Sequence, residues 1–184
     1  MDCYVLTGGL STRMGESKAD LFLARVATAA GTVFDRVVAV ERAGGPQHAI
    51  PTIFEDVHEA EAPIFGVIRA LADARGRSFI LATDYALVTP GVLEFLRRRF
   101  EQSSASMLVP VWGGVPQILC AGYATCLIPA LDARVASRRL DIRGVLEETD
   151  VELVEEAELR ARFDGEPLLN VNTPSDLAVA ERYL

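Results

Sequence analysis

The chain has 184 residues, 50% of them hydrophobic and 24% charged, which suits one domain with a sizeable core and leaves too little chain for two independent ones. Its net charge of −8 offers no broad basic footprint for nucleic acid or an anionic membrane, so a bound phosphate must be gripped locally. No apolar run approaches the length of a membrane span, a secretory leader is not expected, and three cysteines without C-x-x-C spacing are expected to be buried thiols in a reducing cytoplasm.

In chain order, Asp2 to Leu6 reads as a buried strand. It runs into Leu6 to Lys18, LTGGLSTRMGESK. There Gly8 and Gly9 let a backbone wrap an anion, while Arg13 and Lys18 add a planar fork and a movable point charge for phosphate oxygens. A strand, a glycine-rich turn and a helix start make a common phosphate seat. The string fits neither the P-loop nor the dinucleotide fingerprint, and two glycines alone serve equally in a plain strand-to-helix turn. A helix is expected over Ala19 to Ala30, with Leu21, Leu23 and Val26 facing the core and Gly31 ending it. Arg36 to Val40 reads as a second, parallel-type strand, and Glu41 to Ala49 as a loop in which His48 is expected to face solvent. Thr52 to Phe54 suggests a third short strand, leading into the acidic residues Glu55, Asp56, Glu59 and Glu61 and then into Ala62 to Gly66, APIFG.

Ile64, Val67, Ile68 and Leu71 have the spacing of an amphipathic helix running to Arg75. Ser78 to Thr83, SFILAT, is the clearest central strand, and its carboxyl end delivers Asp84 to the edge where open α/β sheets bind ligands. A carboxylate there can hold Mg²⁺, which takes oxygen ligands and shares them with phosphates; an aspartate in that place also simply starts turns. Thr89-Pro90 predicts a helix to about Phe100, with Arg97 to Arg99 on a wet face. Ser106 to Trp112 and Ile118 to Tyr123 read as antiparallel partners around Gly113-Gly114. Helices near Leu127 to Ala136 and Ile142 to Glu148, an edge strand at Val151 to Val154 and a charged helical segment from Glu155 to Arg162 follow. In the closing stretch LLNVNTPSDL, a short β run puts Asn170 and Asn172 on one side, ahead of a helix start at Thr173-Pro174 with Asp176 in its first turn.

The order G-G-x-S-x-R-M-G-x-x-K in the first loop, Asp56 followed by APIFG, Asp84 after the central strand, and N-V-N-T-P-x-D-L near the end resemble the molybdenum cofactor guanylyltransferase family over nearly the whole chain. The resemblance implies one domain over residues 1–184, with a three-layer α/β/α, GT-A-like and Rossmann-like nucleotidyltransferase fold around a mostly parallel sheet. It implies a cytoplasmic, Mg²⁺-dependent enzyme that joins GMP from GTP to the terminal phosphate of molybdenum-bound molybdopterin and releases pyrophosphate. By the same resemblance Arg13, Lys18 and Asp84 are catalytic, and Leu6, Thr7, Gly8, Gly9, Lys18, Asp56 and Asp84 bind the nucleotide. Asp84 also holds the metal, and Asn170, Asn172 and Arg143 face the acceptor. Other molybdenum cofactor assembly proteins are candidate partners; nucleic acid and membrane are not. The sequence departs from the family at Ser17, where aspartate is usual, at Tyr85-Ala86, in place of a small residue and proline, in a shortened segment after Leu23, and at Val40-Glu41, which lacks an asparagine. These departures leave open a cytidylyltransferase or another transferase of the same fold, or a binding module without catalysis.

Overall fold

Short apolar runs alternating with amphipathic helices fold here into a three-layer α/β arrangement. The computed structural model describes residues 1–7, 16–180 and 182, without the side chains of residues 16–21, 174 and 177. The elements are β1 (Asp2–Leu6), α1 (Glu16–Gly31), β2 (Val37–Glu41), β3 (Thr52–Phe54), α2 (Pro63–Asp73), β4 (Arg77–Ala82), α3 (Pro90–Gln102), β5 (Met107–Trp112), β6 (Val115–Pro116) and β7 (Cys120–Ala124). They continue with α4 (Ile128–Ala136), a 3₁₀ turn Ile142–Gly144 joined to α5 (Val145–Glu148), β8 (Val151–Val154), α6 (Glu156–Arg160) and α7 (Pro174–Ala180).

The sheet is mixed and mostly parallel, in the order β3-β2-β1-β4-β7-β5-β6, with β8 beside β5. The first four strands are parallel, β7 runs antiparallel to both β4 and β5, and β8 is parallel to β5. The chain moves outward from β1 to β3, then returns to lay β4 on the other side of β1. That reversal opens a crevice beyond the carboxyl ends of β1 and β4. Helices α1 and α3 pack together, as do α2 and α4; the right-handed crossovers put the two pairs on opposite faces of the sheet.

Strands covered on both faces must be apolar throughout, and Cys3, Tyr4 and Val5 of β1 and Phe79, Ile80 and Leu81 of β4 are fully buried. Burying one large apolar side chain of this kind contributes about 1.5–3 kcal/mol. In α2 the helical spacing buries Ile64, Val67 and Leu71, and Pro63 sits in the first turn, where its missing N–H costs nothing. Thr89 caps α3 by accepting from the Val92 N–H, and Val92, Leu93, Leu96 and Phe100 face the core. The arginine run of α3 is indeed a wet face: Arg97 and Arg98 pair with Glu94, and Arg99 with Glu152 on β8. A smaller cluster of Phe22, Ala86, Leu87, Val171 and Ala180 lies apart from the main core. It ties α1, the turn after β4, the chain before α7 and α7 itself into one support.

Several boundaries differ from the sequence reading. Helix α1 begins at Glu16 rather than Ala19. Gly113 and Gly114, at φ +59° and +70°, make the left-handed turn that reverses β5 onto the two-residue β6, whereas β7 starts only at Cys120 and pairs with the base of β5. The expected β run at Leu168 to Asn172 is not a strand, because its backbone bonds to the turn after β4 instead of to a neighbouring strand. Cys3 and Cys120 are buried as expected, but Cys126 is exposed, since it lies in the 3₁₀ turn Thr125–Leu127 that follows β7.

Candidate active site

At the carboxyl end of β4 the Tyr85 N–H donates to the Ala82 carbonyl oxygen at 3.3 Å, forming the turn that presents Asp84. On the other side of the crevice the last ladder bond places Leu6 beside this turn, with the Thr83 N–H donating to the Leu6 carbonyl at 3.2 Å. The Val171 N–H donates to the carbonyl oxygen of Asp84 at 2.9 Å. A backbone bond therefore draws the Asn170 to Asn172 stretch onto the aspartate turn from far along the chain.

Asp84 is half-buried as a residue, yet its Oδ1 is shielded from solvent and among the described residues has no hydrogen-bond partner; the same is true of Asn170 Oδ1. Burial pushes the Asp84 carboxyl up to about 6, and the neighbouring Asn170 side chain moderates the rise. Two shielded oxygens without donors, one a carboxylate that is ionised at neutral pH, make a site complementary to a hard cation. The residues present therefore fit Mg²⁺. Among the described residues no group of three or more His, Cys, Asp or Glu could hold a metal.

A cavity of about 270 Å³ opens beside these groups, lined by Leu6, Arg42, Glu55, Ala62, Asp84 and Asn172 among others. Of the residues singled out in the sequence, the fold thus gathers Leu6, Asp84 and Asn172 around one space, with Asn170 beside Asp84. Thr7 adjoins it: the Thr7 hydroxyl donates to Glu41 Oε2 at 2.6 Å, with the Val40 carbonyl at 3.0 Å. Asp56 is exposed and lines an adjoining cavity of about 180 Å³ with Arg42, Glu55 and His58. Arg143 is exposed on the 3₁₀ turn before α5 and does not line the Asp84 cavity. Gly8, Gly9 and Arg13 lie outside the described residues; Lys18 and Leu21 belong to α1, but their side chains are not described. A larger groove of about 600 Å³ between α1 and residues 164–167 contains none of the residues read as functional.

His48 does not face solvent. Its Nε2 lies 2.8 Å from Glu41 Oε2, with both side chains 10% exposed. Burial raises Glu41, but hydrogen bonds from Thr7, His48 and the Arg42 N–H outweigh it and hold the carboxyl below its usual range. This acidic clasp fastens Thr7, the residue that follows β1, to Glu41 at the end of β2.

The departure at Tyr85 has a structural explanation. Tyr85 is buried in the main core, and its hydroxyl donates to Gln117 Oε1 at 2.9 Å. Gln117 Nε2 in turn donates to the carbonyls of Trp112 and Val115 at 2.9 and 2.8 Å. The aspartate turn is thereby bolted to the β5–β6 hairpin by a side-chain bridge instead of being stiffened by a proline.

Sequence reading missed Arg42, Glu55, Gln117 and Leu119 as neighbours of the site. Only Glu55 left a signal, as the first carboxylate after β3.

Residues 3–153 match the family model described as MobA-like NTP transferase domain. A protein of Mycobacterium tuberculosis named probable molybdenum cofactor guanylyltransferase is 31% identical, over 94% of this chain and 89% of its own length. Its namesake in Mycobacterium marinum is 30% identical, over 97% and 92%. The crystal structure of molybdopterin-guanine dinucleotide biosynthesis protein A from Archaeoglobus fulgidus superposes with a TM-score of 0.82 at 27% identity, covering 99% of this chain and 97% of that one. A 2-C-methyl-D-erythritol 4-phosphate cytidylyltransferase from Thermus thermophilus shares the fold, with a TM-score of 0.67 at 15% identity and coverage of 97% and 96%.

Proposed function

The chain belongs to the MobA-like NTP transferase family and is a nucleotidyltransferase of that family; from this premise we propose that it transfers GMP from GTP to the terminal phosphate of molybdenum-bound molybdopterin. The observation that carries the proposal is the pair of shielded oxygens on Asp84 and Asn170 that have no donor among the described residues, set at the crevice where β1 and β4 end. Relatives of matching length and about 30% identity bear the guanylyltransferase name, which supports guanine and a pterin acceptor over other choices.

In this reading an acceptor phosphate oxygen attacks the α-phosphorus of GTP in line. A new P–O bond forms as the bond to the β-phosphate bridge breaks, and pyrophosphate leaves with the electron pair. No protein nucleophile is required, so positioning and charge neutralisation carry the rate. Asp84 and Asn170 would hold Mg²⁺, which when bound supplies positive charge to the triphosphate oxygens. Gly8 and Gly9 would let the loop approach the triphosphate, with Arg13 and Lys18 balancing the charge of the departing pyrophosphate. Asn172, at the rim of the cavity, and Arg143 would contact the acceptor.

The test is pyrophosphate release with Mg²⁺ and GTP, CTP, ATP or UTP in turn, with and without molybdenum-loaded molybdopterin. Acceptor-dependent release with GTP is the expected result. Release only with CTP would replace the guanylyl reading by a cytidylyl one, and no release with any pair would overturn transfer to this acceptor.

A further inference from the structure

Besides Asp84, the lining of the cavity carries the carboxylates Glu55 and Glu61, with Glu41 and Asp56 on the flanking chain, and all but Glu55 are accounted for. Glu41 is held by Thr7 and His48. Glu61 pairs with Arg42 at 2.6 Å and is 74% exposed at its side chain. Asp56 is exposed outside the cavity.

Glu55 is different. It lines the cavity, is half-buried, and among the described residues its carboxylate is influenced by burial and by the charges of Arg42 and Glu41, with no hydrogen bond. The β3 ladder extends to it, its N–H donating to the Glu41 carbonyl at 2.8 Å, so its backbone is fixed. Its Oε1 rests on Gly66: a Cβ there would come within 2.8 Å of that oxygen and 3.2 Å of the Leu6 side chain. The glycine of APIFG thus makes the room in which this carboxylate sits, between Leu6 and the start of α2.

A carboxylate without a hydrogen-bonded cation repels a triphosphate, so this end of the cavity is not the phosphate seat. What it attracts are N–H donors. Guanine offers two adjacent ones, N1–H and the 2-amino group, which match the two oxygens of a carboxylate. Adenine and cytosine pair one donor with an acceptor that a carboxylate repels. We propose that Glu55 determines base choice by accepting hydrogen bonds from N1–H and the 2-amino group of guanine, beside the Leu6, Ala62 and Pro63 lining of the same cavity. This rests on the nucleotidyl-transfer reading above and adds the group that selects its nucleotide.

The experiment is equilibrium binding, in Mg²⁺, of GTP, ITP, CTP and 2′-deoxy-GTP to the full chain and to Glu55→Gln and Glu55→Asp. ITP keeps N1–H and lacks the 2-amino group, so the comparison in the unmodified protein needs no variant. The expected result is GTP about 10- to 100-fold tighter than ITP or CTP, the gain from a charge-assisted hydrogen bond, with 2′-deoxy-GTP binding like GTP. Glu55→Gln should bring the GTP to CTP ratio towards one. Equal binding of GTP and ITP, or a guanine preference that survives both substitutions, overturns the assignment. Selective weakening of 2′-deoxy-GTP overturns it in favour of a sugar contact. Guanine selection that depends on Glu55, found together with no pyrophosphate release to any acceptor, would uphold the assignment while removing the transfer reading.

Discussion

The Val171 N–H and the Asp84 carbonyl oxygen meet at 2.9 Å, and this bond sets Asn170 against the carboxylate. Because it is made by backbone, a side-chain substitution at Asp84 leaves it in place. The chemistry of the carboxyl can therefore be changed without dismantling the turn.

Asp84→Asn should abolish Mg²⁺-dependent turnover and, in EDTA, stabilise the protein at neutral pH. The carboxyl is raised from 3.8 to about 6 in the fold, so the fold favours its protonated form. That contribution is complete below about pH 4 and is lost as pH rises through 6, a change of roughly 3 kcal/mol. Urea melts in EDTA at pH 5 and pH 8, both above the unfolded value of 3.8, would capture about half of it. If the unmodified protein and the variant keep the same stability difference at both pH values, the buried carboxyl is not being titrated.

Glu41→Gln should destabilise by about 1–3 kcal/mol at pH 7, because Thr7 and His48 lose a charged acceptor. Here the sign is opposite. A carboxyl held below its usual range contributes stability that is present above that range and disappears as pH falls through its folded value. The gap between the unmodified protein and the variant should stay constant from pH 7 to about pH 5 and narrow only below 4.5, read by chemical denaturation from pH 7 down to pH 3.

Gly66→Ala addresses the seat of Glu55. The added Cβ meets the mobile end of a side chain, so the cost to folding should stay under about 1 kcal/mol while the displaced carboxylate weakens GTP binding by about tenfold. Thermal melting alongside nucleotide titration separates the two effects; a large loss of melting temperature with unchanged affinity would contradict it.

The start of α7 is a reciprocal cap. Asp176 Oδ2 accepts from the N–H groups of Asn172 and Thr173 at 3.1 and 2.8 Å, and the Thr173 hydroxyl accepts from the Asp176 N–H at 3.2 Å. Thr173→Ala should cost about 1 kcal/mol and, by loosening Asn172, raise KM for the acceptor more than for GTP. Equal changes in both KM values would place Asn172 outside the acceptor side.

The sequence by itself determined what depends on near neighbours along the chain. Apolar runs marked β1 and β4, helical spacing marked α2, and the Thr-Pro pairs at 89–90 and 173–174 marked the starts of α3 and α7. The position of Asp84 at the end of a central strand followed from the same local pattern, and order along the chain sufficed for the family resemblance. Only the tertiary structure decided that residues 168–172 bond to a turn and form no strand, that Asn170 lies beside Asp84, that His48 turns inward to Glu41, and that Tyr85 reaches Gln117. Each of these depends on which group lies across a gap between elements distant in sequence. Shielding, missing donors and raised or lowered carboxyl groups are properties of that three-dimensional neighbourhood, whereas periodicity and capping act within about one helical turn.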